Sequence, residues 1–326
     1  MAEKNTADIG FEKQIWDAAC VLRGNMDASE YKSVVLGLIF LKYISDRFTD
    51  KYDQLVADGD GFEEDRDEYT SEGIFFVPAG ARWNEVAAKA HDPEIGQVID
   101  DAMRAIEKEN SRLKDILPKN FARPELDKRR LGEVVDLFTN IKMLDHSNEK
   151  DVLGRTYEYC LSMFAEQEGK RGGEFFTPAG PSKLCATLAA LGLDEAKTVG
   201  DCTCGSASML LEVQKHLTTG KVGHFYGQEL NATTYNLSRM NMIMHGIDWQ
   251  NFDIYKGDTL KDDKYGDIKM TVQVCNPPYS LKWSADKQFE DDPRYSGAGK
   301  LAPKGQADLA FVEHMIYHMD EDDGRV

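Results

Sequence analysis

A polar amide, two prolines and an aromatic ring follow one another directly after an apolar run: Asn276, Pro277, Pro278 and Tyr279. Consecutive prolines fix the backbone direction and remove two N–H donors, so their carbonyl oxygens remain as acceptors. With the side-chain oxygen of Asn276, they predict a pocket that accepts both hydrogens of a planar –NH2 group. The ring of Tyr279 offers a face on which an extruded base stacks, worth about 1–3 kcal/mol. The plainer alternative is a strand that ends at proline, because proline cannot continue a central ladder.

Three more polar segments follow apolar runs earlier in the sequence. The first is a small-residue turn between a predicted strand and a predicted helix, with the candidate binding residues Asp201, Gly205, Ser206, Ala207 and Ser208. Such a turn lets backbone N–H groups approach a ligand, although it lacks the Gly-x-Gly-x-x-Gly pattern of pyrophosphate binding. Glu229 closes the next strand, where doubly wound sheets hold ribose hydroxyls, and Asp258 follows the strand after that. Each acid alone is equally typical of a cap or turn, but three in succession favour one shared site.

The elements that must position these residues alternate from residue 150 onward. The pattern predicts strands at 198–202, 224–228, 252–255 and 271–275, and helices near 180–191, 206–218 and 231–245. Strand–helix alternation indicates a parallel sheet with crossover helices. Residues 1–145 instead show apolar residues at helical spacing, interrupted at 53–72 by an acidic stretch that predicts a solvated loop. We therefore expect an all-α domain at 1–148 and an α/β domain at 149–326.

The end of the sequence carries an expectation of its own. Arg325 and Val326 stand where the next strand of an alternating fold begins. Only four strands are predicted before them, so the strand at 271–275 would lie at an open edge. We therefore expect the α/β domain to be incomplete at its C-terminal end.

Charge limits how the chain can meet nucleic acid. Its 39 Lys+Arg and 57 Asp+Glu give a formal net charge of −18. A protein that holds DNA by itself gains affinity from phosphate contacts and presents a basic face. If this chain acts on nucleic acid, we expect another subunit to supply the grip. The sequence contains no Gly-x-x-x-x-Gly-Lys-[Ser/Thr] loop, so we do not expect it to hydrolyse ATP.

No segment predicts membrane insertion, secretion or metal binding. The longest apolar run, residues 34–41, is too short to span a bilayer, and the N-terminus lacks the apolar core of a secretory signal. The six cysteines include no Cys-x-x-Cys pair, which is typical of a reduced, cytoplasmic protein. His314 and His318 lie one helical turn apart but without a Glu-x-x-His context, so we interpret them as core or surface histidines.

These motifs together resemble a known family. Asn-Pro-Pro-Tyr at 276–279, preceded by Asp-x-x-x-Gly at 201–205 and a strand-tip Glu, is similar to the amino-methyltransferases that use S-adenosylmethionine. Gly173, Glu174, Phe175, Phe176, Thr177 and Pro178 resemble the Phe-x-Thr-Pro motif of adenine-N6 DNA enzymes of the gamma arrangement. Residues 15–26 and 40–46 resemble the modification subunit of type I restriction–modification systems. Two small residues depart from the pattern, Cys202 where the family often has Pro and Ala207 where Gly is common.

The resemblance implies a fold and a role for each motif. It implies a Rossmann-like, S-adenosylmethionine-dependent α/β domain preceded by an all-α N-terminal domain. The residues that would wrap the methionine end of the cofactor are Glu174, Phe175, Phe176, Thr177, Pro178 and Ala179. Asp201 and the backbone at 205–208 would hold its amino-acid portion, Glu229 its ribose hydroxyls, and Asp258 its adenine amino group. Asn276 and the Pro277 carbonyl would bind N6 of an adenine extruded from DNA, for direct displacement without a covalent intermediate or a metal.

The resemblance also implies partners. In such systems a specificity subunit reads the DNA sequence, two modification subunits flank it, and cleavage needs an ATP-driven restriction subunit. The helical residues 1–148 would then embrace a partner or DNA. The excess of acidic residues would be explained, because a separate subunit reads the DNA. Two alternatives remain: a protein glutamine-N5 methyltransferase, because a glutamine amide is also a planar –NH2 group, and a non-catalytic assembly subunit.

Overall fold

The computed structural model describes residues 8–22, 28–140 and 152–326. Contacts between residues divide the chain into two compact units, one made of residues 1–168 and 243–249 and the other of residues 169–242 and 250–326. The domain boundary expected at 148/149 and residues 23–26 of the N-terminal motif lie outside the described residues. Within the described ranges, no helix combines the length and apolarity needed to cross a lipid bilayer.

The first unit is helical, as its apolar spacing predicts. Its helices are α1 (Asp8–Cys20), α2 (Ala28–Asp58), α3 (Arg66–Thr70), α4 (Trp83–Ala87), α5 (Ile95–Glu109), α6 (Lys128–Thr139) and α7 (Val152–Glu168). The prediction of a loop at 53–72 is wrong for residues 53–58, which continue α2, and for residues 66–70, which form α3. Leu55 is buried there, and the first residue that interrupts the helix is Gly59, with a φ of +75°. Burial of one apolar face therefore outweighs the acidic composition of this stretch.

Buried polar side chains tie the helices of the first unit together. Lys32 on α2 forms an ion pair of 2.8 Å with Glu168 at the end of α7, and both side chains are almost fully buried. Asp100 on α5 accepts hydrogen bonds from the backbone N–H groups of Phe121 and Ala122 at 3.0 and 3.1 Å. Such partners offset the loss of water around a buried charge. They fix α7 on α2 and the loop ahead of α6 on α5.

The second unit is a four-stranded parallel sheet with the order β3-β2-β1-β4. The strands are β1 (Glu195–Asp201), β2 (Lys221–Glu229), β3 (Phe252–Lys256) and β4 (Val272–Gln273), and the helices are α8 (Ala179–Ala190), α9 (Ser208–His216), α10 (Ala232–Met244), α11 (Pro293–Ser296) and α12 (Asp308–Tyr317). Strand order reverses next to β1, as in doubly wound nucleotide-binding folds. The predicted Rossmann-like α/β class is therefore confirmed.

The register brings the ends of all four strands to one edge of the sheet. β1 is paired with β2 up to Asp201, and β2 is paired with β3 up to Glu229. Past the last residue of β4, the N–H of Val274 still donates to the carbonyl of Gly200 at 3.0 Å. The segments that follow β1, β2, β3 and β4 thus begin side by side, where ligands bind in open α/β sheets.

The chain returns to the sheet beside β4. Arg325 forms an isolated parallel bridge with Val272. Its N–H donates to the carbonyl of Thr271 at 3.0 Å, and its carbonyl accepts from the N–H of Gln273 at 2.8 Å. A second isolated parallel bridge, between Met270 and Met319, precedes it along the chain.

Candidate functional site

The turn after β1 curls tightly before α9 begins. Gly205 and Ala207 have φ values of +53° and +65°, in the left-handed region. The N–H of Cys204 donates to the carbonyl of Gln228 at 3.0 Å and ties the turn to the tip of β2. At the other side, the hydroxyl of Tyr265 donates to the carbonyl of Asp201 at 2.8 Å. The predicted small-residue turn is present and is held from two directions.

Residues 175–179 lie against this turn. The N–H of Ser206 donates to the carbonyl of Phe175 at 2.8 Å. A Cβ at Gly205 would stand 2.8 Å from that same oxygen, so glycine is required by both the approach and the positive φ. Phe175 is buried, Phe176 and Thr177 are half-buried, and Pro178 and Ala179 are exposed at the start of α8. Glu174 ends a short 3-10 turn, and its side chain lies outside the described part of the chain.

The two acids at the tips of β1 and β2 are both buried. Burial raises the pKa of Asp201 to about 7; the nearby Glu229 carboxylate adds to the rise, and the N–H of Thr203, 3.0 Å from Oδ1, opposes it. Burial also raises the pKa of Glu229, against hydrogen bonds from backbone N–H groups. Those donors include Asn231 to Oε1 at 2.7 Å and Gly205 to Oε2 at 3.1 Å. Glu229 therefore ends β2 and also holds the turn after β1, through the N–H of Gly205.

Asp258 lies at the tip of β3 but in a local turn. Its Oδ1 accepts from the N–H of Leu260 at 3.1 Å, and its Oδ2 lies 3.4 Å from Nζ of Lys261. The side chain is about one-third exposed. The next residue joins this turn to the turn after β1: the hydroxyl of Thr259 donates to the carbonyl of Cys202 at 2.5 Å.

The amide of Asn276 is held at both ends. Its Nδ2 donates to Oγ1 of Thr177 at 3.2 Å, and its Oδ1 accepts from the hydroxyl of Tyr279 at 3.0 Å. Asn276 and Pro277 are half-buried, whereas Pro278 is exposed and Tyr279 is 78% exposed. The aromatic ring thus lies at the surface beside the amide, as a stacking platform requires.

One cleft of the second unit collects about half of the predicted residues. Its lining consists of Gly173, Phe175, Phe176, Thr177, Asp201, Thr203, Cys204, Gly205, Ser206, Ser208, Met209 and Asn276. The segment before α8, the turn after β1 and the amide after β4 therefore share one space. The predicted residues that do not line it are Pro178, Ala179, Ala207, Glu229, Asp258 and residues 277–279.

Sequence reasoning missed several residues that shape this cleft. Asn241 on α10 donates from Nδ2 to the carbonyl of Ser206 at 2.9 Å, from a helix with no motif. Cys275 places its sulfur 3.1 Å from Oγ1 of Thr203 and 3.4 Å from Sγ of Cys202. The hydrogen bond between Cys202 and Cys275, together with burial, raises the pKa of the Cys202 thiol. Cys202 and Cys275 come together because they follow β1 and β4, which are neighbours in the sheet. The sequence could have indicated this contact only if the strand order had been known.

His314 and His318 are buried core side chains, in line with their interpretation from sequence. With Asp263 they form the one group of three potential metal ligands among the described residues. Nε2 of His318 lies 2.9 Å from Oδ2 of Asp263 and its Nδ1 lies 2.9 Å from the carbonyl of Ile268. Nδ1 of His314 faces a guanidinium nitrogen of Arg294 at 3.3 Å. Arg only donates, so Nδ1 of His314 accepts and the proton of the neutral ring sits on Nε2.

Family comparison covers both units of the sequence. Residues 148–326 match the family described as N-6 DNA Methylase. Residues 11–138 match the family described as HsdM N-terminal domain.

Two curated relatives match almost the whole chain. The MpnII type I restriction enzyme methylase subunit of Mycoplasma pneumoniae is 34% identical over 358 residues, which covers 96% of this chain and 66% of the relative. The MjaIX methylase subunit of Methanocaldococcus jannaschii is 33% identical over 333 residues, covering 94% of this chain and 58% of the relative. The chain therefore spans about three-fifths of the length of these relatives.

Solved structures support the same grouping. A type I restriction-modification system methyltransferase subunit from Streptococcus thermophilus is 32% identical with a TM-score of 0.84, covering 97% of this chain and 73% of that one. A modification subunit of a putative type I restriction enzyme from Vibrio vulnificus YJ016 is 16% identical with a TM-score of 0.64, covering 98% of this chain and 69% of that one. At that identity, the second similarity concerns the fold alone.

Proposed function

Because this chain belongs to the N-6 DNA methylase family, we propose that it transfers a methyl group from S-adenosylmethionine to N6 of adenine in DNA. The observation that carries the proposal is the shared cleft, in which the Asn276 amide lies beside the turn at 201–208. One side of the cleft suits a nucleotide-type cofactor and the other suits a planar amino group. A methyltransferase needs both groups within reach of each other.

The residues around the cleft fit the amino-acid end of S-adenosylmethionine. That end presents an ammonium and a carboxylate, and the cleft offers the Asp201 carboxylate together with the hydroxyls of Thr177, Ser206 and Ser208. We assign Asp201 and residues 205–208 to this end, with residues 174–179 closing over it. When bound, S-adenosylmethionine supplies an electrophilic sulfonium methyl group.

We assign the ribose to Glu229 and the cofactor adenine to Asp258. Each oxygen of Glu229 has a backbone N–H partner, and each retains a further lone pair for a hydroxyl donor. Asp258 is partly exposed at the tip of the neighbouring strand, and its carboxylate accepts from an amino group. Both acids lie along the carboxyl edge of the sheet, as the extended shape of the cofactor requires.

The target amino group is assigned to Asn276 and the carbonyl of Pro277. The lone pair of an adenine amino nitrogen is delocalised into the ring, which makes it a poor nucleophile. Hydrogen bonds from its two hydrogens to Oδ1 and the carbonyl favour a more tetrahedral nitrogen, with the lone pair free to attack. Tyr279 stacks on the base, which has left the duplex at a cost of a few kcal/mol.

We further propose that the chain works as the modification subunit of a type I restriction–modification complex in the cytoplasm. Its partners there are a specificity subunit, a second modification subunit and, for restriction, the restriction subunit. The match of residues 11–138 to the HsdM N-terminal domain supports this role for the helical unit. A net charge of −18 supports it too, because a separate subunit must then hold the phosphate backbone.

The test uses the full chain with a specificity subunit, unmethylated DNA and radiolabelled S-adenosylmethionine. We expect label in N6-methyladenine after digestion to nucleosides, and only when both subunits are present. Label in protein would instead support a glutamine-N5 methyltransferase. Cofactor binding without transfer to either substrate would support a non-catalytic assembly subunit.

A further inference from the structure

A basic surface lies beside the exposed ring of Tyr279. It is formed by two stretches, residues 279–285 and 293–307, which carry Lys282 and Lys304 and contain no Asp or Glu. Acids make up 57 of the 326 residues, so these two stretches differ from the rest of the chain. Both lysines are exposed. They therefore present positive charge at the surface of a protein whose formal net charge is −18.

Two backbone hydrogen bonds hold the stretches side by side. The N–H of Trp283 donates to the carbonyl of Lys304 at 3.0 Å, and the N–H of Ala307 donates to the carbonyl of Leu281 at 3.0 Å. Lys282 lies between the two bonded residues of its stretch, so the backbone brings the two lysines close together. The Asn-Pro-Pro-Tyr segment ends two residues before the first bonded residue. The paired stretches therefore begin beside the exposed tyrosine ring.

The buried ring of Trp283 anchors both stretches to the second unit. Its Nε1 donates to the carbonyls of Ala302 and Pro303 at 3.3 and 3.1 Å. The ring packs against Phe289 and Tyr295, with 5.5 Å between the ring centroids in each pair. A backbone that is already fixed loses little freedom when a ligand binds to the side chains it carries. The two lysines are thus presented from an ordered part of the fold.

The acids at the ends of these stretches leave the two lysines without a partner. Asp292 pairs with Arg294 at 2.7 Å, and Asp308 accepts from the N–H of Ser280 at 3.4 Å. Asp286 is exposed at the end of the first stretch that is farther from the tyrosine ring. Within the part of the chain that the structure describes, neither lysine side chain forms an ion pair. Their ammonium groups are therefore available to an anion from outside the chain.

The anion closest to a flipped base is its own backbone. A nucleotide that leaves the duplex stays joined to its strand through the phosphates on its two sides. When its base stacks on Tyr279, these phosphates lie at the mouth of the site, one sugar away from the base. Lysine binds phosphate as a flexible point charge. Such contacts position a strand without reading its sequence.

We infer that Lys282 and Lys304 form a phosphate-binding surface for the DNA strand that carries the target adenine. This inference rests on the proposed function and names the surface of this chain that meets the substrate beside the flipped nucleotide. The specificity subunit holds the duplex as a whole, whereas the two lysines hold the strand at the site. They contribute to DNA binding and not to the transfer step.

Variants that remove charge test the inference in the complex with a specificity subunit. Lys282→Gln and Lys304→Gln, alone and together, remove the ammonium groups, whereas Lys282→Arg and Lys304→Arg keep the charge. Lys221→Gln is the matched control, because Lys221 is an exposed lysine at the start of β2, at the opposite edge of the sheet. Its replacement changes the net charge by the same amount. Thermal unfolding midpoints establish that all variants are folded.

The expected result is weaker and less salt-dependent binding of DNA. Binding of a fluorescent duplex that the wild-type complex methylates is measured over a series of salt concentrations. Each Gln variant lowers the slope of log K against log[salt] by about 0.9 for every modification subunit that engages the DNA, and the double variant lowers it by about twice as much. KM for DNA rises about three- to tenfold in the double variant.

The other quantities separate this role from a general loss of function. In the double Gln variant, kcat and the Kd for S-adenosylmethionine stay within about twofold of the wild type, because the lysines touch neither the cofactor nor the reacting amino group. Arginine at both positions keeps the wild-type slope, and Lys221→Gln does not change it.

Neutral methylphosphonate links in the DNA give the sharpest readout. Replacing the phosphates on both sides of the target adenine weakens binding by the wild-type complex. In the double Gln variant the same replacement changes binding less than twofold, because the contacts are already absent. Links placed one helical turn away are the control, and they affect both complexes equally. An influence of the lysines through the general field of the protein would not depend on where the neutral links lie.

The inference is overturned if the double Gln variant keeps the wild-type slope, if Lys221→Gln lowers the slope as much, or if neutral links beside the adenine weaken both complexes equally. A fall in kcat with unchanged DNA binding overturns it as well. A wild-type complex that methylates no adenine overturns the proposed function. An active wild type with an unaffected double variant overturns this inference alone, so the wild-type measurement distinguishes the two failures.

Discussion

The two halves of the candidate site differ in how completely the fold holds them. In the turn at 201–208, Asp201, Ser206 and Ala207 are buried, and backbone hydrogen bonds to β2 and to Phe175 fix the curve. In the segment at 276–279, burial decreases steadily until Tyr279 is 78% exposed. The side proposed for the cofactor is thus enclosed by the fold, whereas the side proposed for the target base is open.

Strand order explains why the turn at 201–208 is enclosed. β1 lies between β2 and β4, so the turn after it has neighbours on both sides. Among the described residues, β4 pairs with β1, and isolated parallel bridges at its other edge join Met270 to Met319 and Val272 to Arg325. A base that must leave a duplex requires an open approach, while a small cofactor gains from an ordered binding turn.

The largest expected effect comes from removing the amide on the open side. Asn276→Ala eliminates the acceptor for the target amino group, so we expect kcat to fall about 10²–10³-fold, as when a key hydrogen-bonding group is removed from a reaction centre. Cofactor affinity should stay within about twofold, because the turn at 201–208 does not depend on the amide. Methylation assays and cofactor titration of the complex measure both quantities.

A normal rate of methyl transfer by Asn276→Ala would remove the proposed role of the amide. A parallel loss of cofactor affinity would show that the two halves are not separable. Thr187→Val, altered on the outer side of α8, serves as the control for handling and folding.

The sequence predicted the contrast between the units well but the contacts within the site poorly. The spacing of apolar residues is a local property of the sequence. It was sufficient to predict a parallel sheet with polar residues at the ends of β1, β2 and β3. The hydrogen bond between Thr177 and Asn276 joins residues 99 positions apart. The support of the turn by Asn241 joins positions 35 apart. Such pairs depend on strand order and side-chain direction, which no local pattern carries.

The second effect concerns the buried carboxylate of the closed side. The pKa of Asp201 is raised to about 7 in the folded state from an ordinary value near 4. Between these values the folded protein binds more protons than the unfolded one, so its contribution to stability falls as pH rises from about 4 to about 7. Asp201→Asn removes this loss, and we expect the variant to gain a few kcal/mol over the wild type between pH 5 and pH 8.

Urea unfolding without cofactor at the two pH values tests this expectation. Asp194→Asn is the matched control, since Asp194 is exposed in the same unit and its replacement should leave the pH profile unchanged. Identical pH profiles for Asp201→Asn and the wild type would contradict a pKa of Asp201 raised by burial in this turn.

The third effect tests the tightness of the turn itself. Gly205→Ala places a Cβ 2.8 Å from the carbonyl of Phe175 at a φ of +53°. We expect a loss of about 1–3 kcal/mol in the free energy of unfolding, together with weaker cofactor binding. Gly297→Ala is the control, because its φ is −65° and no atom lies within 4 Å of the added Cβ. Equal urea midpoints for the two variants would mean that the turn accommodates the added methyl group without loss of stability.

The smallest effect, and the one most specific to the open side, comes from the hydroxyl of Tyr279. It donates to Oδ1 of Asn276, the atom that the target amino group needs, so it competes with an incoming base for that oxygen. Tyr279→Phe keeps the stacking ring and removes this competitor. We therefore expect KM for DNA to fall about two- to fivefold, in keeping with one exposed hydrogen bond.

Tyr279→Ala provides the opposite limit, because it removes the ring as well. Loss of base stacking should raise KM about tenfold, so the two variants move KM in opposite directions. A rise of KM in Tyr279→Phe would mean that the hydroxyl binds the substrate rather than competing with it. In that case the fold would supply part of the open side, because the hydroxyl of Tyr279 would bind the substrate instead of competing with it.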